Sequence, residues 1–242
     1  MKARAIFLAA AFAGLTCTQL SADISGSFNI AGTIEVTPST INWEDNTSPF
    51  TAMEATIGPG STGSFAGLDG TTVTIEDLNS ITEPTGSLFG PDLFISFNAD
   101  PSLPPLAIDM IFAGIYSTSQ CLIAPAVGQQ CTPNNLSASG VSPFNFVNNP
   151  PSPGQATATF AFAGTEGSSA WIGNFTSQFT SPYQTVLSDL ATHGSVSNTF
   201  SASFDVTEIP EPNMFPALGL GLFAMLLIMR SNGLIARLRR QG

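Results

Sequence analysis

Polar and apolar side chains alternate along the stretch that follows residue 22. Ile24, Phe28, Ile30, Ile34 and Val36 share one side with Gly26 and Gly32, while Ser25, Ser27, Asn29, Thr33 and Glu35 take the other. A period of two predicts a half-buried strand, bent or bulged at its glycines. Pro38 ends it, and residues 40–43 predict a short second strand. Further strands are predicted over Met53–Ile57, 62–66, 71–77, 93–98 and 106–116, each bounded by Gly, Pro, Asn or Asp. Residues 157–163 and 170–179 flank a glycine-bearing turn at 164–168 and read as a long hairpin. The last strand, 196–207, sets Val196, Asn198, Phe200, Ala202, Phe204 and Val206 against serines and threonines. Its partner is the first strand if the two ends of the body lie together.

The period changes once. Tyr183, Val186, Leu187 and Leu190 recur at helical spacing, Ser181 and Pro182 suit the start, and Gly194 suits a left-handed cap. A helix over 182–193, covering one end or edge of the sheets, is predicted. The chain from 117 to 155 reads as a long loop rich in Pro, Gly and Asn. Together these elements predict an all-β fold: an antiparallel β-sandwich, jelly-roll-like, with one short helix.

Composition agrees and adds a compartment. The 242 residues include 22 Gly, 18 Pro and 19 Phe, with only 10% charged, a profile of short strands joined by turns. Charge placement says more than the net value of -11. All six bases, Lys2, Arg4, Arg230, Arg237, Arg239 and Arg240, lie at the ends, and all but one of the 17 acids fall within residues 23–208. That body is a polyanion without Lys or Arg. It repels phosphate backbones and offers no cationic clamp, which argues against nucleic-acid and nucleotide partners.

At the N-terminus, Lys2 and Arg4 precede an apolar run over 5–15 and then Leu20-Ser21-Ala22. This charged, apolar, small-residue order predicts a signal peptide over 1–22, read by the Sec machinery and cut by signal peptidase after Ala22. The run is too short for a permanent span. With that leader, Cys121 and Cys131 are the cysteines left in an oxidising exterior, and one disulfide is the simplest use for them.

Near the C-terminus, Pro210-Glu211-Pro212 stands directly before an uncharged run from Met214 to Met229, which Arg230 closes and Arg237, Arg239 and Arg240 follow. At about 1.5 Å per residue the run reaches roughly 24 Å, enough to span with snorkelling arginine and local thinning. A transmembrane helix over 213–230 is therefore predicted, with the basic end 231–242 cytoplasmic and the body outside. The two prolines hold the triplet extended and keep Glu211 accessible.

The ordered set of triplet, apolar helix and terminal arginines resembles the PEP-CTERM sorting signal of Gram-negative bacteria that make exopolysaccharide. The resemblance is confined to 209–242. It implies recognition by a membrane transpeptidase-like enzyme, an exosortase, near Pro210, Glu211 and Pro212. It implies too a transient inner-membrane anchor, then release or transfer to the cell surface or extracellular matrix, with exopolysaccharide as a neighbour. The expected organisation is thus a leader, a secreted β domain over 23–208, and a sorting tail.

Candidate chemistry in the body is sparse. His193 follows Asp189 by four residues on the predicted helix, so the two share a face, yet no G-x-S-x-G elbow exists. A histidine at a helix C-terminus suits the macrodipole without any catalytic role. Glu44-Asp45-Asn46 and Glu76-Asp77 are the densest oxygen ligands, but neither has the spacing of a calcium loop, so no cofactor is expected and calcium is the secondary reading. Trp43 and Trp171 are the candidates for glycan contact, although the register of Trp171 with Phe175 and Phe179 points inward. The expected function is non-enzymatic and structural. A carbohydrate-binding module is the alternative, with a secreted hydrolase behind it.

Overall fold

The computed structural model describes residues 23–43, 53–134, 141–151 and 154–209. The expected signal peptide, Pro210, Glu211, Pro212, the helix over 213–230, the four tail arginines and the Glu44-Asp45-Asn46 group lie outside the described residues. One compact unit ends at Glu208.

The described residues are mostly antiparallel strand. They comprise β1 (Gly26–Val36), β2 (Thr40–Asn42), β3 (Met53–Ile57), β4 (Thr72–Ile75), β5 (Leu78–Asn79), β6 (Leu88–Phe97), β7 (Leu106–Ile111), β8 (Gln130–Cys131), β9 (Asn145–Asn148), β10 (Ala156–Glu166), β11 (Ser169–Phe179) and β12 (Val196–Glu208), with helix α1 (Tyr183–His193) between the last two.

The all-β expectation holds, but the sandwich does not. Eight strands close into a barrel in the order β1, β3, β4, β6, β7, β10, β11, β12. Closure comes from the long strands. β12 pairs with β1 from Gly26↔Val206 to Val36↔Val196, and on its other edge with β11. β10 pairs along its whole length with β11, and its other edge is divided between β9 and β7. Alternation looks the same whether a sheet faces a second sheet or curls onto itself, so the pattern alone predicted the wrong one of two equivalent burials. A closed ring leaves no long unpaired edge, which removes the hazard that the helix was expected to manage.

Eight strands give an interior just wide enough for side chains to fill, and here aromatics fill it. Phe160 and Phe175 stack at 5.0 Å, Phe28 and Phe204 at 4.7 Å, and Phe94 lies parallel to Trp171 at 5.8 Å. Trp43, which follows β2, sits among them 4.9 Å from Phe200 and 5.0 Å from Phe175.

Both ends are closed. Residues 62–66 form no strand but a 3-10 turn over Gly63–Phe65, because Gly63 adopts a left-handed φ of 58°. That turn delivers Phe65, fully buried, against Phe28 and Phe97. At the other end lies α1, burying Tyr183, Val186 and Leu190. Its end signals are only partly the expected ones. Gly194 is left-handed, with its N–H donating to Leu190 O at 2.9 Å, but Ser181 does not cap. Instead the Tyr183 N–H donates to Asn148 Oδ1 of β9 at 3.0 Å, a cap supplied from a distant part of the chain.

The long loop contains two short strands, β8 and β9, and the disulfide joins Cys121 to Cys131, with Cα atoms 5.2 Å apart. Bridging this small loop contributes about 2–3 kcal/mol. Reduction is expected to raise hydrogen exchange and proteolysis within 117–131 while the amides of β10, β11 and β12 stay protected. Loss of protection across the barrel would show the bridge to be global instead.

Candidate functional site

The residues singled out from the sequence are not gathered in one place. Trp43 is 1% exposed and Trp171 3% exposed, so neither is available to contact a glycan: both rings are core, as the inward register of Trp171 indicated. The Trp171 Nε1–H donates to Ala107 O at 2.8 Å, whereas Trp43 Nε1 has no partner among the described residues. His193 Nδ1 lies 3.2 Å from the backbone oxygen of Asp189, so the ring meets the helix backbone and not a carboxylate. The Asp77 carboxylate accepts the Trp43 N–H at 2.8 Å. Among the described residues no group of three His, Cys, Asp or Glu is placed to hold a metal ion.

Among the described residues, three hollows stand out instead. Under α1 an apolar cavity of about 40 Å³ is lined by Val186, Leu187 and Leu190 with Phe144, Phe146 and Phe160. This holds little more than one water, yet it is apolar and so disfavours one. A cleft of about 550 Å³ separates Leu122 of the disulfide loop from Leu187, Leu190 and Ala191.

The third, about 480 Å³, lies on the outside of the barrel where β10 changes neighbours. The first part of β10 pairs with β9, ending at Thr159↔Asn145, and the later part pairs with β7, beginning at Phe162↔Ile111. The chain between the two departures, 112–144, is anchored back at several points. The Phe112 N–H donates to Ala161 O at 3.0 Å, the Gly114 N–H to Ser142 O at 2.8 Å, and the Ile115 N–H to Asn145 Oδ1 at 2.8 Å. A groove therefore opens at the fork.

Register sets its floor. Asn145, Thr159 and Thr176 form one row across β9, β10 and β11, and Ala161 and Asn174 form the next. Phe112, Ile115 and Ile172 line it at 38%, 82% and 39% exposure. The second acceptor site of Asn145 Oδ1 is taken by the Thr132 hydroxyl at 2.9 Å, which turns its Nδ2 donors away from that bond. Among the described residues no hydrogen bond is formed by the side chains of Asn174 and Thr176. No protein-family model, curated protein or solved structure matches the chain. The groove's chemistry therefore has to be read from its own residues.

Electrostatics set the groove apart. Residues 112–165 carry no acidic or basic side chain; on the flanking strands, Asp205 is paired with Ile172 and Asp109 lies on β7. Sequence reasoning missed this site because outward Thr, Ala and Asn look like any solvated face; the long uncharged run was the available signal.

Two carboxyls elsewhere are pushed upward. Burial raises Asp77, opposed by the Trp43 N–H bond, and burial raises Glu166. A carboxyl raised in the native state binds protons more tightly there than when unfolded. Its contribution is therefore full below the ordinary carboxylate range and is lost as pH rises through its native value. Asp77→Asn keeps an oxygen to accept from Trp43 but cannot ionise. Relative to the parent its melting temperature is expected to improve as pH rises from the ordinary carboxylate range through the raised native value and then to level off; an advantage that shrinks over that range would contradict the assignment.

Proposed function

We propose that the chain is an exported, non-enzymatic surface or extracellular-matrix protein whose barrel is displayed outside the inner membrane and whose tail is handled by an exosortase. One observation carries this reading: the order of a secretory-type leader, a body without Lys or Arg, and a Pro-Glu-Pro triplet followed by an apolar run and arginines. Its partners would be the Sec machinery, signal peptidase, exosortase and, transiently, the inner membrane, with exopolysaccharide around the mature protein.

Three features of the body support the reading. The last strand ends at Glu208, before Pro210 in the chain, so the triplet is not part of a barrel strand. A disulfide in the loop also suits an oxidising compartment. An anionic surface resists non-specific sticking to other anionic polymers. The hydrolase reading has less behind it, because His193 has no carboxylate partner among the described residues.

Mass spectrometry of the native extracellular fraction tests both ends at once. The expected mature chain begins at Asp23 and ends near Glu211. A secreted chain retaining 213–242 would make it a C-terminally anchored surface protein, and one retaining residues 1–22 would remove the export argument.

A further inference from the structure

The geometry points to a glycan-binding groove: the hollow at the β10 fork takes a segment of neutral polysaccharide, with Asn174, Thr176 and Asn145 as its hydrogen-bonding groups and Phe112 and Ile115 as its apolar wall. This inference goes beyond the sorting reading and does not depend on it.

Size and shape come first. A hollow of about 480 Å³ falls in the range of small-ligand sites and is open along the sheet rather than enclosed, as a site for an inner segment of a chain must be. Its polar groups are the second argument. The Nδ2 donors of Asn145, the amide of Asn174 and the hydroxyl of Thr176 together offer donors and acceptors in adjacent rows, about 4.8 Å apart from strand to strand. Vicinal hydroxyls, each both donor and acceptor, match such a set. A purely apolar ligand would strip water from these groups and return nothing. The aliphatic and aromatic wall of Phe112 and Ile115 meanwhile suits the C–H faces of a sugar ring.

Charge selects among sugars. No Lys or Arg lies anywhere in 23–208 to pair with a carboxylate, sulfate or phosphate, and the acidic Asp205 is paired with Ile172 on the adjoining strand. An acidic polysaccharide would bring its charges to a site without counter-charges, beside a body that repels them. Strand addition by a peptide is also closed off, since both edges of β10 are already paired and the Phe112 N–H occupies Ala161 O between them.

The test is calorimetric titration of the full chain with hexasaccharides of glucose, mannose and xylose, a galacturonic acid hexamer, and an unstructured peptide mixture. At least one neutral hexasaccharide is expected to bind with Kd below about 1 mM. Asn174→Ala and Phe112→Ala are each expected to weaken that binding about tenfold. Glu35→Gln, on β1, should leave it within about twofold. Asn174 is solvent-exposed, so its alanine variant reports on the groove without unfolding the barrel. The proposal is overturned if no neutral saccharide binds, if binding survives both groove substitutions, or if the uronide or the peptides bind as tightly.

Discussion

Gly164→Ala is expected to lower the melting temperature by about 6–12 °C, the equivalent of about 3 kcal/mol in a domain of this size. Gly164 faces the interior of β10 at the irregularity where its pairing with β7 shifts register between Ala163 and Gly164. A Cβ there would lie 1.9 Å from Ala107 O and 2.8 Å from Trp171 Nε1. These two atoms are the acceptor and donor of one 2.8 Å hydrogen bond. A methyl group must therefore push β7 away, move the indole, or do both. The first is overpacking against backbone, which yields less readily than a side chain. The second leaves a buried indole N–H without its partner, a loss of about 1–3 kcal/mol. Gly90→Ala is the control, because a Cβ at Gly90 meets nothing within 4 Å; its melting temperature should stay within about 2 °C of the parent. Equal melting of the two variants would mean that β10 and β7 do not approach so closely.

Much of the barrel was legible because its long strands alternate without interruption. The alternation in β1, β10, β11 and β12 places Phe28, Phe160, Phe175 and Phe204 inward as expected, and those strands close the ring. The helix was legible from its apolar spacing and Gly194, but not its cap, since Asn148 lies far away in the chain. Short elements were harder. β9 spans only Asn145–Asn148, between Pro143 and Pro150, so its inward residues Phe146 and Asn148 give too few repeats to show a period. The opposite error at 62–66 has a conformational cause: polar and apolar residues alternate there, but Gly63 turns the chain left-handed and converts a strand-like pattern into a plug. Trp43 shows a third limit. A tryptophan after a proline- and threonine-bearing stretch looks exposed, and only closure of the barrel supplies the aromatic cage that buries it. The groove depends on the same kind of non-local fact, for Asn145, Thr159 and Thr176 become neighbours only through the register of three strands.

Glu211→Ala is expected to leave export intact and to block maturation, so that nearly all of the protein accumulates as a membrane-bound precursor still carrying Arg237, Arg239 and Arg240. The change removes the one charge between the two prolines and leaves both prolines in place. The uncharged run that ends at Met229, with Arg230 after it, is untouched and should retain the anchoring the proposal gives it. Deleting residues 214–242 removes anchoring as well as recognition. That variant should be exported by its leader and appear soluble in the periplasm or medium, with the barrel folded. The pair therefore separates two roles that the proposal gives the tail: a recognition element in the triplet and a stop in the apolar run. Fractionation with immunoblotting against the barrel, followed by mass spectrometry of the C-terminal peptide, reads both. If Glu211→Ala matures to the same C-terminus as the parent, the triplet is only a stiff spacer between barrel and membrane, and the exosortase part of the proposal fails while export through the leader still stands.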